Sequence, residues 1–185
     1  MTKLLGLSGS LRRGSYNSAL LRAATRLMPP DSTLEVGSIR GIPLYDGDVE
    51  AQGIPASVTQ LKEAIIAADG VLLVTPEYNN SIPGVFKNTI DWLSRPASDI
   101  RRVFGGRSFA ICGTSPGPWG TVLSQAAWLP VMRTLGTQTW FGGRIAVPRA
   151  GNVFDAEGNL KDAGVEELLR QFLAGYVNFL RRPAA

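Results

Sequence analysis

A chain of 185 residues with 44% hydrophobic and 18% charged side chains has the make-up of one globular α/β domain, able to bury roughly 70% of its unfolded surface. Its formal charge of +4, from 19 Lys and Arg against 15 Asp and Glu, suits small anionic partners but not nucleic acid, which needs a basic stripe. The absence of histidine excludes Ser-His-Asp and Cys-His nucleophiles and histidine-ligated metals, and the lone Cys112 can build neither an internal disulfide nor a thiolate cage.

Residues 3–7 form a short apolar run ending in Gly and Ser, as a buried parallel strand does. Leu20, Ala24, Leu27 and Met28 recur at helical spacing until Pro29 and Pro30 stop the helix. Residues 33–38 read as the second strand, followed by an irregular stretch over 42–46. Val58, Leu61, Ile65 and Ala68 mark a second helix, and residues 70–75 are the most apolar strand. Phe86, Ile90 and Leu93 share one face of a third helix entered through Pro83. Residues 107–112 are the fourth strand, and Cys112 in it reads as a buried structural thiol. Leu123, Ala127, Val131 and Leu135 predict the inner face of a fourth helix, which Pro130 should kink. Residues 137–141, or a bent continuation through 145–147, supply the fifth strand. Val165, Leu168, Leu169, Phe172, Leu173, Tyr176, Val177 and Leu180 outline the last helix.

Five strands alternating with five helices predict a three-layer α/β sandwich, a parallel sheet covered on both faces with right-handed crossovers. The flavodoxin-like order 2-1-3-4-5 fits this length better than a six-stranded dinucleotide fold. Residues 1–185 read as a single domain without repeat or linker. No apolar stretch reaches the roughly 18 residues of a membrane span, and the first ten residues turn polar too soon for a signal peptide, so the expected location is cytoplasmic.

In such a sheet, ligands bind beyond the carboxyl ends of the strands where the order reverses, and the unusual loops follow strands one, three and four, which are neighbours in that order. The first loop, residues 9–17, offers the Ser10 and Ser15 hydroxyls, the Arg12 guanidinium, the Asn17 amide and free helix N–H groups to a phosphate. The other reading is that Ser15 caps a helix and Arg12 is solvated. Gly9 and Gly14 imitate a P-loop, but Ser15 and Tyr16 stand where its Lys and Ser/Thr belong, so a nucleoside triphosphatase is not expected. The second loop, residues 76–84, is stiffened by proline and provides polar groups and Tyr78 for a flat heterocycle. The third, residues 113–117, matches the hydrolase pattern G-x-S-x-G. Ser115 has no histidine to activate it, and Pro116 lacks the N–H an oxyanion hole needs, so a close approach to a ligand explains this loop better. With no convincing acid–base residue, the chemistry must come from a cofactor. A phosphate cradle beside a slot for a flat ring suggests FMN.

At these residues the chain resembles the NAD(P)H-dependent FMN reductase family, in its chromate, quinone and ferric reductase branch. The resemblance lies in GLSGSLRRGSYN at 6–17, IPLYDGD at 42–48, PEYNNSIPGVFKNTIDWLSRP at 76–96 and GTSPGPWGT at 113–121. It implies that Ser10, Arg12, Ser15 and Asn17 hold the FMN phosphate. By the same resemblance Pro76, Glu77, Tyr78 and Asn79 line the isoalloxazine edge, and Ser115, Pro116 and Gly117 close the other side. No side chain is then catalytic and no metal is needed. Family members pass hydride from NADH or NADPH to flavin and then electrons to quinones, chromate, ferric complexes or azo dyes by a ping-pong mechanism, as homodimers or homotetramers. The segment after the third loop lacks the arginine common in relatives. Arg95 reads equally as a contact for an anionic nucleotide or acceptor and as a salt-bridge residue on a helix end. Trp92, Trp119, Trp128 and Trp140 divide between core and subunit interface, and Lys87 with Asp91 reads as a surface i,i+4 pair. The competing function is a flavodoxin-type electron carrier; such carriers are typically acidic, and this chain is not.

Overall fold

Strand-forming apolar runs and amphipathic helices alternate along the whole chain in the computed structural model, which describes residues 1–182. In order these are β1 (Thr2–Ser8), α1 (Tyr16–Arg26), β2 (Ser32–Gly37), α2 (Gly47–Ala51), α3 (Ala56–Ala67), β3 (Gly70–Val74) and α4 (Gly84–Leu93). A 3₁₀ turn (Ala97–Asp99) and α5 (Ile100–Val103) lead into β4 (Ser108–Thr114) and α6 (Val122–Thr134). The chain continues through β5 (Gln138–Thr139), β6 (Ala146–Val147), α7 (Ala150–Val153) and α8 (Ala163–Leu180). The pairings between these strands are parallel, in the order β2-β1-β3-β4-β5, with β6 also on β4, so the flavodoxin-like architecture is as expected.

Alternation of side chains along the central strands supplies both layers. Leu4, Leu72, Val74, Ala110 and Cys112 face α1, α7 and α8, whereas Leu5, Leu7, Val71, Leu73, Phe109 and Ile111 face α3, α4 and α6. Each fully buried aliphatic or aromatic side chain contributes roughly 1.5–3 kcal/mol. Cys112 is 1% exposed, and burial pushes its thiol up to about 12, so it stays protonated and structural. Trp92 and Trp128 belong to the core, Trp140 packs on Phe172 and Tyr176, and Trp119 is 77% exposed.

Several expectations need correcting. The inner face of α6 is Ser124, Trp128 and Met132, with Leu123 exposed and Ala127 and Val131 only half-buried. Apolar residues surround this helix, and Trp128, the largest, takes the core position. Pro130 lies within the helix on its exposed side, where water can serve the carbonyl of Ala126 that loses its donor. Leu168 likewise faces outward on α8. The fifth strand is divided: β5 extends β4 at Ser108 and Phe109, and β6 extends it at Gly113 and Thr114. The short helices α2, α5 and α7 carry no helical period long enough to read from sequence.

Lys62, 2% exposed, donates from α3 to Asp99 Oδ2 at 2.8 Å and to the carbonyl of Arg95. The Lys62 ammonium holds the Asp99 carboxyl below its ordinary range. A lowered carboxyl stabilises the fold above its unfolded pKa of about 3.9, and that contribution fades as pH falls through the lower folded value. Asp99→Asn should therefore cost about 1–3 kcal/mol at pH 7 by leaving a buried ammonium poorly compensated. In urea unfolding, the gap from wild type should narrow below pH 4; a gap independent of pH would rule out the ion pair as its source.

Candidate functional site

The first loop leaves β1 through Gly9, whose N–H donates to Val74 O at 3.0 Å, binding it to the end of β3. The loop then folds on itself. Arg12 N–H donates to Ser10 Oγ at 3.3 Å, and Ser15 N–H to the Arg12 carbonyl at 3.2 Å. Ser15 caps α1 by accepting from Ser18 N–H at 3.3 Å. The next N–H groups, those of Tyr16 and Asn17, have no partner among the described residues. They point a helix's positive end outward beside the Ser10 and Ser15 hydroxyls. The Arg12 guanidinium lies 5.6 Å from the Tyr16 ring centroid, and that ring stacks on Phe154 at 5.8 Å. It meets no carboxylate among the described residues.

Asn17 also has a structural job. Its buried side chain donates to Thr114 O at 2.8 Å and accepts from Thr114 N–H at 3.0 Å, so it mimics a strand partner and joins α1 to β4. Its backbone N–H and the second proton of its amide have no partner among the described residues.

The second loop contains a two-residue hairpin. Tyr78 and Ser81 exchange backbone bonds of 3.1 and 3.0 Å, and Asn79 and Asn80 between them take left-handed φ of 49° and 62°. Asparagine tolerates this region, as a type I′ turn requires. The turn presents the half-exposed Tyr78 ring, whose hydroxyl lies 3.5 Å from Ser10 Oγ. The Glu77 carboxylate is committed to α6, accepting from the N–H groups of Leu123 and Ser124 at 2.9 and 3.0 Å. It neutralises that helix's positive end and fixes the second loop to it. Thr75, just before the loop, accepts from Trp128 Nε1 at 3.1 Å and lies 2.9 Å from both Pro76 O and Ser124 Oγ.

In the third loop, a Cβ on Gly113 would stand 2.1 Å from Thr75 O, so only glycine lets β4 run this close to the end of β3. Ser115 Oγ donates to Gly120 O at 2.6 Å. Its hydroxyl is therefore held by a carbonyl, in keeping with the rejection of the hydrolase pattern. Ser115 N–H donates to Val147 O at 3.0 Å, and Arg149 N–H to Gly117 O at 3.0 Å, so the loop rests on β6 and α7.

The three loops enclose a crevice of 300 Å³ at the carboxyl end of the sheet. Ser10, Arg12, Ser15, Asn17, Pro76, Glu77, Tyr78, Ser115 and Pro116 all line it. Tyr16 and Thr114 join them; neither was singled out in the sequence, although Tyr16 lies inside the phosphate-like loop. Asn79 and Gly117 are not in the lining: one shapes the turn and the other anchors its loop. Arg95 lies elsewhere. Its Nε donates to Glu50 Oε2 at 2.8 Å, and the Tyr45 hydroxyl shares that oxygen at 2.8 Å. The Arg95 and Tyr45 hydrogen bonds keep the Glu50 carboxyl below its usual range. The salt-bridge reading of Arg95 is the one the structure shows, as it is for Lys87 and Asp91 at 2.6 Å. A wider cleft of 830 Å³, around Asp69 and Arg107, opens at the amino ends of the strands, away from the switch point where ligands of this fold bind.

A family model described as NADPH-dependent FMN reductase matches residues 2–152. The chain belongs to the NADPH-dependent FMN reductase family. It is an enzyme with FMN as cofactor and NAD(P)H as co-substrate, not a carrier that depends on a separate reductase. It is 44% identical to an NAD(P)H-dependent FMN reductase of Pseudomonas aeruginosa over 97% of this chain and 96% of that one. A 2-hydroxy-1,4-benzoquinone reductase of a Burkholderia species is 36% identical, over 97% and 96%. Among solved structures, the flavoenzyme NAD(P)H:(acceptor) oxidoreductase FerB of Paracoccus denitrificans superposes with a TM-score of 0.86 at 31% identity, covering 97% of each chain.

The residues present fit such a cofactor. Unpaired N–H groups, two hydroxyls and an uncompensated guanidinium line the crevice, as a phosphate requires, together with the aromatic ring of Tyr78. No helix among the described residues is long and apolar enough to cross a membrane.

Proposed function

We propose that the crevice binds FMN with its phosphate at the first loop and its ring between the second and third, and that the enzyme reduces quinones with NAD(P)H. The observation that carries this reading is the convergence of free donors from residues 10–17 on a crevice walled by Tyr78 and Pro116. When bound, FMN supplies the hydride-accepting ring; the protein supplies position and electrostatics. Ser10, Ser15, Arg12 and the N–H groups of Tyr16 and Asn17 orient the phosphate. The Tyr78 hairpin, held by Glu77 on α6, keeps the ring's edge in place, and Pro116 bounds the opposite side. NAD(P)H and the acceptor use the same open face in turn, a ping-pong order. An open face discriminates little, so chromate, ferric complexes and azo compounds are further acceptors.

A cytoplasmic location goes with this reading, since NAD(P)H is supplied there. So does assembly into a homodimer or homotetramer, for which the exposed Leu123, Leu129, Trp119 and Phe141 around α6 offer apolar surface. The test is sequential mixing without oxygen. NADPH should bleach the FMN-loaded protein, and 1,4-benzoquinone should restore the colour mole for mole. Colour that persists with NADPH would overturn the reading, as would bleached protein that ignores the quinone.

A further inference from the structure

A second polar pocket, of 260 Å³, adjoins the crevice through their shared Ser10 and lies between α1 and the chain leaving β2. Arg22 and Arg40 line it together with the hydroxyls of Ser8, Ser18 and Ser38. Arg40 gives one N–H to Leu11 O at 2.7 Å, and Arg22 reaches only Gly158 O, at 3.5 Å. Neither guanidinium meets a carboxylate among the described residues, and no Asp or Glu lines the pocket. Ser8 and Ser18 are 3.0 Å apart, so one hydroxyl donates to the other and a second proton remains to give. Ser38 accepts from Arg40 N–H at 3.1 Å, which leaves its own proton free. The exposed side chains of Leu11 and Val36 form an apolar rim.

Two exposed guanidinium groups without carboxylate partners and several spare hydroxyl donors line one pocket, and a forked guanidinium suits a phosphate monoester. The single phosphate of FMN is already accounted for by the first loop, on which this argument rests. The other nucleotide of the reaction is NAD(P)H, and NADPH differs from NADH by the 2′-phosphate on its adenosine. The pocket and the crevice meet at Ser10, so an extended dinucleotide with its nicotinamide end at the ring site would pass Ser10 to reach it. We infer that Arg22 and Arg40 receive the 2′-phosphate of NADPH, with Leu11 and Val36 against the adenine, and so give the enzyme a preference for NADPH over NADH.

Calorimetric titration of the FMN-loaded protein with 2′,5′-ADP, 5′-AMP and inorganic phosphate tests this. The expected result is that 2′,5′-ADP binds about tenfold or more tightly than either of the others. In Arg22→Gln/Arg40→Gln that advantage should disappear, and the ratio of kcat/KM for NADPH over NADH should fall about tenfold, with FMN content as in wild type. Equal binding of 2′,5′-ADP and 5′-AMP to wild type would overturn the inference, whatever the variant does. Inorganic phosphate binding as tightly as 2′,5′-ADP would reduce the pocket to a plain anion site and overturn it too. The same titration of flavin-free protein separates the two readings: discrimination there without any FMN binding would sink the crevice assignment and leave this pocket standing.

Discussion

Arg12→Ala is expected to weaken FMN binding about 10- to 100-fold while leaving thermal stability near wild type. A hydrogen bond to a charged group is worth about 1.5–3 kcal/mol, and each 1.4 kcal/mol is a factor of ten in affinity. Arg12 is exposed and touches the fold mainly through the Tyr16 ring, so its loss has little else to disturb. Ser15 differs because it also caps α1. Ser15→Ala should lose FMN affinity and about 0.5–2 kcal/mol of stability together. Ser15→Asp separates the two roles: aspartate restores the cap but sets a negative charge against the phosphate, so the protein should be stable and poor in FMN. FMN content after gel filtration and urea unfolding of the three variants provide the check. Unchanged flavin occupancy in all of them would remove the phosphate cradle from the first loop.

Thr75→Val should be the most damaging conservative change in the core, costing roughly 2–4 kcal/mol. The substitution keeps shape and removes one oxygen. That oxygen accepts from Trp128 Nε1, and if its proton goes to Pro76 O it must also accept from Ser124. Valine leaves both the buried indole N–H and the Ser124 hydroxyl without their partner, while the residue directly before the second loop loses its tie. Unfolding in urea should shift accordingly, and FMN affinity should fall because Pro76 and Tyr78 are no longer held in register. A change below about 0.5 kcal/mol, the level of an ordinary surface substitution, would mean that the network does not stabilise the loop.

The central strands were legible because both faces of the sheet are covered there, so β3 and β4 are buried along their whole length, whereas β2 at the edge buries only Leu34. The helix faces were legible where polar and apolar residues segregate, as at Phe172, Leu173 and Tyr176 of α8. α6 misled because Leu123, Ala126 and Leu129 are apolar and outward, and nothing in the spacing shows that Trp128 takes the inner position. α2 was hidden for another reason: it buries no residue, and its ends are set by the Asp46 cap and by Glu50 meeting Tyr45 and Arg95.

At the site, location was legible and the structural bonds of its residues were not. Asn17 and Glu77 border the crevice as expected, yet the Asn17 amide is bound to Thr114, 97 positions away, and the Glu77 carboxylate to Leu123 and Ser124. Such partners come from the packing of α1 and α6 on the sheet. Tyr16 was overlooked because its place beneath Arg12 depends on Phe154.

Titration of flavin-free protein with FMN and with riboflavin, side by side, bears most directly on the claim that residues 10–17 hold a phosphate. The two ligands share the ring and differ in the phosphate alone. Several charge-assisted bonds to that group predict FMN tighter by about a thousandfold. Riboflavin binding as well as FMN would contradict the account.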